Sequence, residues 1–97
     1  MTVRWTSTDL RDLESLHAYV AQDSAHASDE AAAKIVQRIL TGLEALERFP
    51  AMGRKGRVAG TREFIVSPFV VAYRVKKEAI EVVAIIHGAR RWPDSFF

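Results

Sequence analysis

Arginine dominates the positions in this chain where chemistry could gather. Arg90 and Arg91 stand directly before Trp92 near the carboxyl end, Arg62 and Arg74 lie upstream, and Arg54, Lys55 and Arg57 crowd a glycine-containing stretch. A guanidinium offers planar paired donors to phosphate or carboxylate, and an adjacent indole can stack on a base or fill a partner's groove. The same tail also reads as a cap, in which Trp92, Phe96 and Phe97 cover one end of the core while the arginines stay hydrated. His87 could shuttle a proton, because imidazole titrates near neutrality. It has no carboxylate beside it in sequence, and His17 and His26 do not stand at ligand spacing from it, so no metal site is expected. Gly53, Gly56 and Gly60 lack the preceding strand and following helix of a phosphate-cradling loop, and no cofactor is expected. The basic cluster at 54, 55 and 57 could touch phosphates or simply face water.

The charge balance sharpens the question of partners. The formal net charge is only +2, but its distribution is uneven. Through Phe49 there are five Lys/Arg against eight Asp/Glu, and from Pro50 onward nine against four. A basic second half suits a polyanionic or acidic partner, or a merely solvated surface. The absence of cysteine removes disulfides, thiolate catalysis and cysteine-ligated metals. The longest apolar runs, 69–73 and 82–86, are far short of the roughly 20 residues a membrane helix needs. No signal peptide is visible at the amino terminus. A cytoplasmic protein of one domain, residues 1–97, with no membrane partner is expected.

These side chains must be held by a small set of elements. Thr2–Trp5 reads as a short strand, and Thr6-Ser7-Thr8-Asp9 offers several N-caps for a first helix. Leu10, Leu13, Leu16 or His17, and Val20 give that helix its apolar stripe, which should fade near Ser24. A second helix starts around Ser28. Ala32, Ile35, Ile39, Leu43 and Leu46 form its buried stripe, Val36 and Leu40 widen it, and Pro50 stops it. Joined by so few residues, the two helices must form an antiparallel hairpin. Residues 52–58 read as a basic loop. Residues 61–66, 69–75 and 79–87 are rich in β-branched and aromatic types, with separators that suit hairpins, so they predict an antiparallel meander. The expected fold is α+β, a helix hairpin packed on a mainly antiparallel sheet in the order β-α-α-β-β-β. Strand alternation puts Arg74, Glu81 and His87 on the face turned from the helices or toward its edges. The face of Arg62 depends on a register that the sequence leaves open.

Several of these segments carry more than composition. Val3-Arg4-Trp5-Thr6 leading into the helix of residues 10–20, Phe49-Pro50-Ala51-Met52-Gly53-Arg54, Gly60-Thr61-Arg62-Glu63, Val71-Ala72-Tyr73-Arg74-Val75 and Ile86-His87-Gly88-Ala89-Arg90-Arg91-Trp92-Pro93 occur in a characteristic order and spacing. Together, over nearly the whole chain, they resemble the RelE/ParE toxin superfamily of type II toxin–antitoxin systems. That resemblance implies the same β-α-α-β-β-β fold and a growth-inhibiting toxin neutralised by a cognate antitoxin. The antitoxin would wrap the toxin with an acidic, amphipathic carboxyl-terminal segment in a hetero-oligomer.

Members of the superfamily divide by target. RelE-like members cut messenger RNA on the ribosome without metal, which requires a base, an acid and cations around the phosphate. In that reading Arg62, Arg74, His87 and Arg90 would be catalytic. The chain departs from the pattern, with Val70 where an arginine is expected and Phe96 where relatives carry a tyrosine. The His87-Gly88-Ala89-Arg90-Arg91 segment resembles ParE-like members instead, which poison DNA gyrase by binding. This is the favoured reading, with no catalytic residue assigned and with Arg62, His87, Arg90, Arg91 and Trp92 as target-binding residues. The alternatives are a ribosome-dependent endoribonuclease or an inactive, nucleic-acid-binding member.

Overall fold

The computed structural model describes residues 2–5, 13–23, 29–89 and 91–95, so the caps expected at residues 6–9, the expected end of the first helix at Ser24, and Ser28, Arg90 and Phe96 lie outside it. Its elements are β1 (Thr2–Trp5), α1 (Leu13–Asp23), α2 (Asp29–Arg48), β2 (Arg54–Lys55), β3 (Arg62–Val66), β4 (Phe69–Val75) and β5 (Ala79–His87). The two helices form a hairpin on one face of a five-stranded sheet of order β1-β5-β4-β3-β2. All pairings are antiparallel except β1 with β5, which run parallel.

The α2 stripe is the main organiser of the core. Ala32, Val36, Ile39, Leu43 and Leu46 recur at alternating steps of four and three, which keeps them on one side of a helix of 3.6 residues per turn. Val36 is the buried member of its turn, whereas Ile35 and Leu40 flank the stripe half-covered. Leu16 and Val20 of α1 join them against Val66, Phe69, Val71, Tyr73, Ile80, Val82 and Ile85 of the sheet. Tyr19 also reaches across, its hydroxyl donating to the Ile85 carbonyl. Gly42 lets α2 lie close to β3, since a Cβ there would come within 2.5 Å of the Phe64 ring. After Arg48, Pro50 has no amide proton to continue the ladder, and the chain turns with the Met52 N–H bonded to the Phe49 carbonyl at 3.0 Å.

The expected meander is present, with strands at 69–75 and 79–87 and the third starting at Arg62 instead of Thr61. Two features depart from expectation. The stretch expected to be loop contains β2, whose Arg54 and Lys55 pair with Glu63 and Arg62. A two-residue edge strand carries no periodicity, which is why alternation does not reveal it. The second departure is in β5. Ala72 pairs with Ala84 but Tyr73 pairs with Val82, so Val83 is an extra residue and the ladder bulges there. The bulge reverses alternation along the strand. Ile80 and Val82 face the helices before it, and Ile85 does so after it.

Candidate functional site

Strand β3 divides its chemistry between the two faces of the sheet. Phe64 and Val66 pack toward the helices, so Arg62 shares their side and Glu63 points the other way.

On the helix side, Arg62 stands opposite Tyr73. The Arg62 Nη1 group donates to the carbonyls of Gly53 at 2.8 Å and Ala51 at 3.3 Å. Tyr73 is fully buried; its hydroxyl donates to the Pro50 carbonyl at 2.9 Å and accepts from the Gly53 N–H at 2.9 Å. Burial pushes the Tyr73 phenol above its ordinary pKa, although the Gly53 N–H and the Arg62 charge pull it back in part. Together the two side chains satisfy most of the polar backbone of the turn after α2. This is how the turn avoids the cost of orphaned carbonyls and amides.

On the opposite face, Glu63 is 1% exposed despite its charge. Arg54 lies directly across on β2, and its Nε and Nη2 both donate to Glu63 Oε1, at 3.2 and 3.0 Å. The Arg57 backbone N–H donates to Oε2 at 2.8 Å, and its Nε lies 3.4 Å from the same oxygen. Burial alone would raise the Glu63 carboxyl pKa. The Arg57 amide and the Arg54 and Arg57 guanidiniums outweigh that effect and hold it below the usual carboxylate range. The Arg57 guanidinium in turn lies over Trp92, its carbon 4.0 Å from the ring centroid, a cation–π contact.

The expected site residues are therefore dispersed. Arg62 is bound by backbone carbonyls on the helix side. Arg74 lies on the other face, paired with Glu81 across β4 and β5. The expectation that His87 shares that face is corrected by the bulge. His87 pairs with Phe69 and packs edge-on against its ring at 5.7 Å, on the helix side, and its Nδ1 accepts the Ala89 N–H at 3.1 Å. Arg91 is exposed and Trp92 half-buried. The structure joins Trp92 to Arg57.

Sequence reasoning missed Glu63 and the role of Arg54 and Arg57. A signal was available: Glu63 is the one acidic residue between Glu47 and Glu78, in a stretch otherwise rich in arginine and lysine. Among the described residues, no group of His, Asp or Glu side chains could hold a metal ion. Among the described residues, no helix is long and apolar enough to cross a membrane.

With this geometry in view, likeness to known proteins falls in one direction. The family model described as ParE toxin of type II toxin-antitoxin system, parDE, matches residues 3–92. Y4kP of Sinorhizobium fredii is 37% identical over 93 residues, covering 94% of this chain and 92% of that protein. Toxin RelE2 of Caulobacter vibrioides is 31% identical over 88 residues, covering 91% of this chain and 96% of the relative. A solved structure of the chromosomal ParDE TA system from P. aeruginosa superposes with a TM-score of 0.66 at 26% identity, covering 90% of this chain and 95% of that one.

Proposed function

Since the chain belongs to the ParE toxin family of type II toxin–antitoxin systems, we propose that it arrests growth by binding DNA gyrase in its DNA-cleaved state, and that a cognate antitoxin neutralises it. The observation that carries binding over RNA cleavage is the dispersal of the nuclease candidates. Metal-free cleavage needs a base, an acid and cations around one phosphate. Arg62 is committed to two carbonyls on one face, Arg74 to Glu81 on the other, and His87 to Phe69 and Ala89 at the end of the sheet. Arg74 therefore lies on the opposite face of the sheet from Arg62 and His87, which argues against one shared phosphate site. Arg91 and Trp92, by contrast, lie together near the carboxyl end, and arginine and tryptophan are the residue types that most often anchor an interface.

The antitoxin side of the proposal rests on shape and charge. A groove of about 440 Å³ runs beside α1 and α2, lined by His17, Val36, Gln37, Leu40, Thr41 and Glu44 among others, and suits the apolar side of a partner segment. Phe49, Met52 and Ile65 are large apolar side chains left exposed, and the second half of the chain is basic. An acidic, amphipathic segment that folds on binding fits such a surface. Toxin and antitoxin would act together as a cytoplasmic hetero-oligomer.

Induction of the chain without its antitoxin tests the target. Gyrase-linked double-strand breaks and filamentation are expected. Rapid arrest of translation with discrete messenger cuts, and no breaks, would overturn the gyrase reading in favour of the ribosome. The product of the adjacent reading frame should co-purify with the tagged toxin.

A further inference from the structure

Among the described residues none after β5 belongs to a helix or strand, yet two of them are tied down. At one end the Gly88 N–H donates to the Pro68 carbonyl at 2.9 Å. At the other, Trp92 lies under the Arg57 guanidinium. Arg90 and Arg91 occupy the short span between these ties. The second tie has its own foundation. The loop that carries Arg57 is closed by the Gly56 N–H to the Thr61 carbonyl at 2.8 Å and by the Thr61 hydroxyl to the Val58 carbonyl at 2.6 Å. Arg57 itself is held twice by Glu63, through its backbone N–H and its guanidinium. Glu63 is gripped from the far side by Arg54.

We propose that Glu63 is a positioning residue for the target-binding tip: from its buried place on β3 it fixes Arg57, Arg57 clamps the Trp92 indole, and the exposed Arg91 beside Trp92 is thereby presented in one arrangement. This rests on the reading of the tip as the surface that meets the target. The physical logic is preorganisation. A tip held through Trp92 has already lost conformational freedom that an unheld one would lose on docking. The buried carboxylate also settles where the Arg57 charge sits. Without Glu63, Arg57 would be one more exposed cation, free to turn to water instead of lying over the ring. Trp92 then has two uses, as a contact for a target and as the buckle that holds Arg91 beside it.

The test uses the full chain with Trp5→Phe, so that Trp92 is the sole indole, and adds Glu63→Gln, Arg57→Ala or Arg57→Lys. Arg57→Ala is the decisive variant, because it removes the clamp and leaves the buried carboxylate its Arg54 partner and the backbone N–H at 57. Acrylamide quenching of Trp92 should rise in Arg57→Ala and Glu63→Gln, with unchanged far-ultraviolet circular dichroism. Arg57→Lys, which keeps the charge but not the flat face, should fall between. The inducer concentration needed for growth arrest should rise about tenfold in Arg57→Ala. Unchanged quenching in Arg57→Ala would overturn the proposal, as would greater quenching with undiminished growth arrest. Loss of arrest in Glu63→Gln with no change in Trp92 would mark Glu63 as merely structural, which also overturns it. Absence of gyrase-linked breaks with the parent chain would instead sink the gyrase reading, and the quenching series would still report on the clamp.

Discussion

Arg62 and Glu63 are neighbours in the chain, and the sheet sends them to opposite faces to do different work. Arg62 is a cation whose described hydrogen bonds go to backbone carbonyls, those of Ala51 and Gly53. With Tyr73 it fastens the turn after α2 to the core. Glu63 is an anion surrounded by two arginines, and its connections lead outward through Arg57 to Trp92 and the tail. The lesson is that an arginine in a toxin-family motif is not thereby a target contact. Arg62, in the Gly60-Thr61-Arg62-Glu63 segment, is spent on the fold, whereas Glu63, with the wrong sign to touch a polyanion, is the residue linked to the tip.

The largest expected effect comes from breaking both regions at once. Gly53 lies where they meet. A Cβ added there would stand 2.7 Å from the Glu63 carbonyl oxygen and closer still to the Tyr73 hydroxyl. Neither neighbour can retreat, since one is ladder backbone and the other is a fully buried ring. Gly53→Ala should therefore destabilise the chain by about 3 kcal/mol, lowering the melting midpoint by roughly 10–20 °C in a domain of this size. Calorimetry checks this, and a shift of only a degree or two would mean that the two clusters are not held as rigidly as described.

Next comes the Glu63 cluster alone. In Glu63→Gln one carboxylate oxygen becomes an NH₂ group, which must confront either Arg54 or the Arg57 amide, donor against donor. The expected loss is about 2 kcal/mol, in the range of hydrogen bonds to charged groups. The pH dependence gives an independent reading. The folded Glu63 pKa lies below the ordinary value of 4.5, held there against burial by Arg57 and Arg54. Its contribution to stability is thus complete above that ordinary value and is lost as the pH falls through the folded one. The stability gap between parent and Glu63→Gln should accordingly be constant near neutrality and narrow in acid. A gap that stays constant down to pH 2 would mean that the carboxylate charge is not what the cluster uses.

Much of this comparison was hidden from the sequence for identifiable reasons. The stripe from Ala32 to Leu46, the stop at Pro50 and the bounds of β4 and β5 are legible because period and turn residues are local properties. The bulge at Val83 is not local. It arises from how β5 meets β4, and it moved His87 to the helix side while leaving Glu81 where alternation put it. The face of Arg62 likewise needed the β3 register. Trp92 was legible as a residue with two possible uses, but its partner Arg57 is 35 positions away and no spacing rule joins them. Antiparallel pairing brought Arg54 to Glu63 in the same way, through an edge strand too short to announce itself.

On the Arg62 side the expected effect is smaller. Tyr73→Phe keeps the ring and its packing and removes only the hydroxyl that bridges Pro50 and Gly53. The turn backbone loses one donor and one acceptor, but it lies near the surface, where Ala51 and Met52 are exposed and water can replace part of what is lost. A loss of about 1 kcal/mol is expected, without any change in Trp92 quenching. If quenching changes, the two faces communicate and the division between them is wrong.

The smallest effect is expected at the other arginine–glutamate pair, Arg74 with Glu81, which lies on the same face of the sheet as Glu63. Chemically the two sites are alike, and burial is what separates them. The Glu63 carboxylate is 1% exposed, although its partners Arg54 and Arg57 are 52% and 42% exposed, whereas the Arg74 and Glu81 side chains are 27% and 16% exposed. Partial hydration lowers the cost of breaking the pair, because each charge left behind can turn to water, and it weakens the attraction in the same measure. Arg4 adds a further cation opposite Glu81 on β1, so Glu81 would keep a neighbour of opposite sign after Arg74 is removed. A double-mutant cycle with Arg74→Ala and Glu81→Ala should give a coupling of at most about 1 kcal/mol, falling further in high salt. The same cycle with Arg57→Ala and Glu63→Gln should give the larger, less salt-sensitive value. Equal couplings at the two sites would show that an arginine–glutamate pair on this face has the same strength wherever it sits, and that burial gives Glu63 no special hold on the tail.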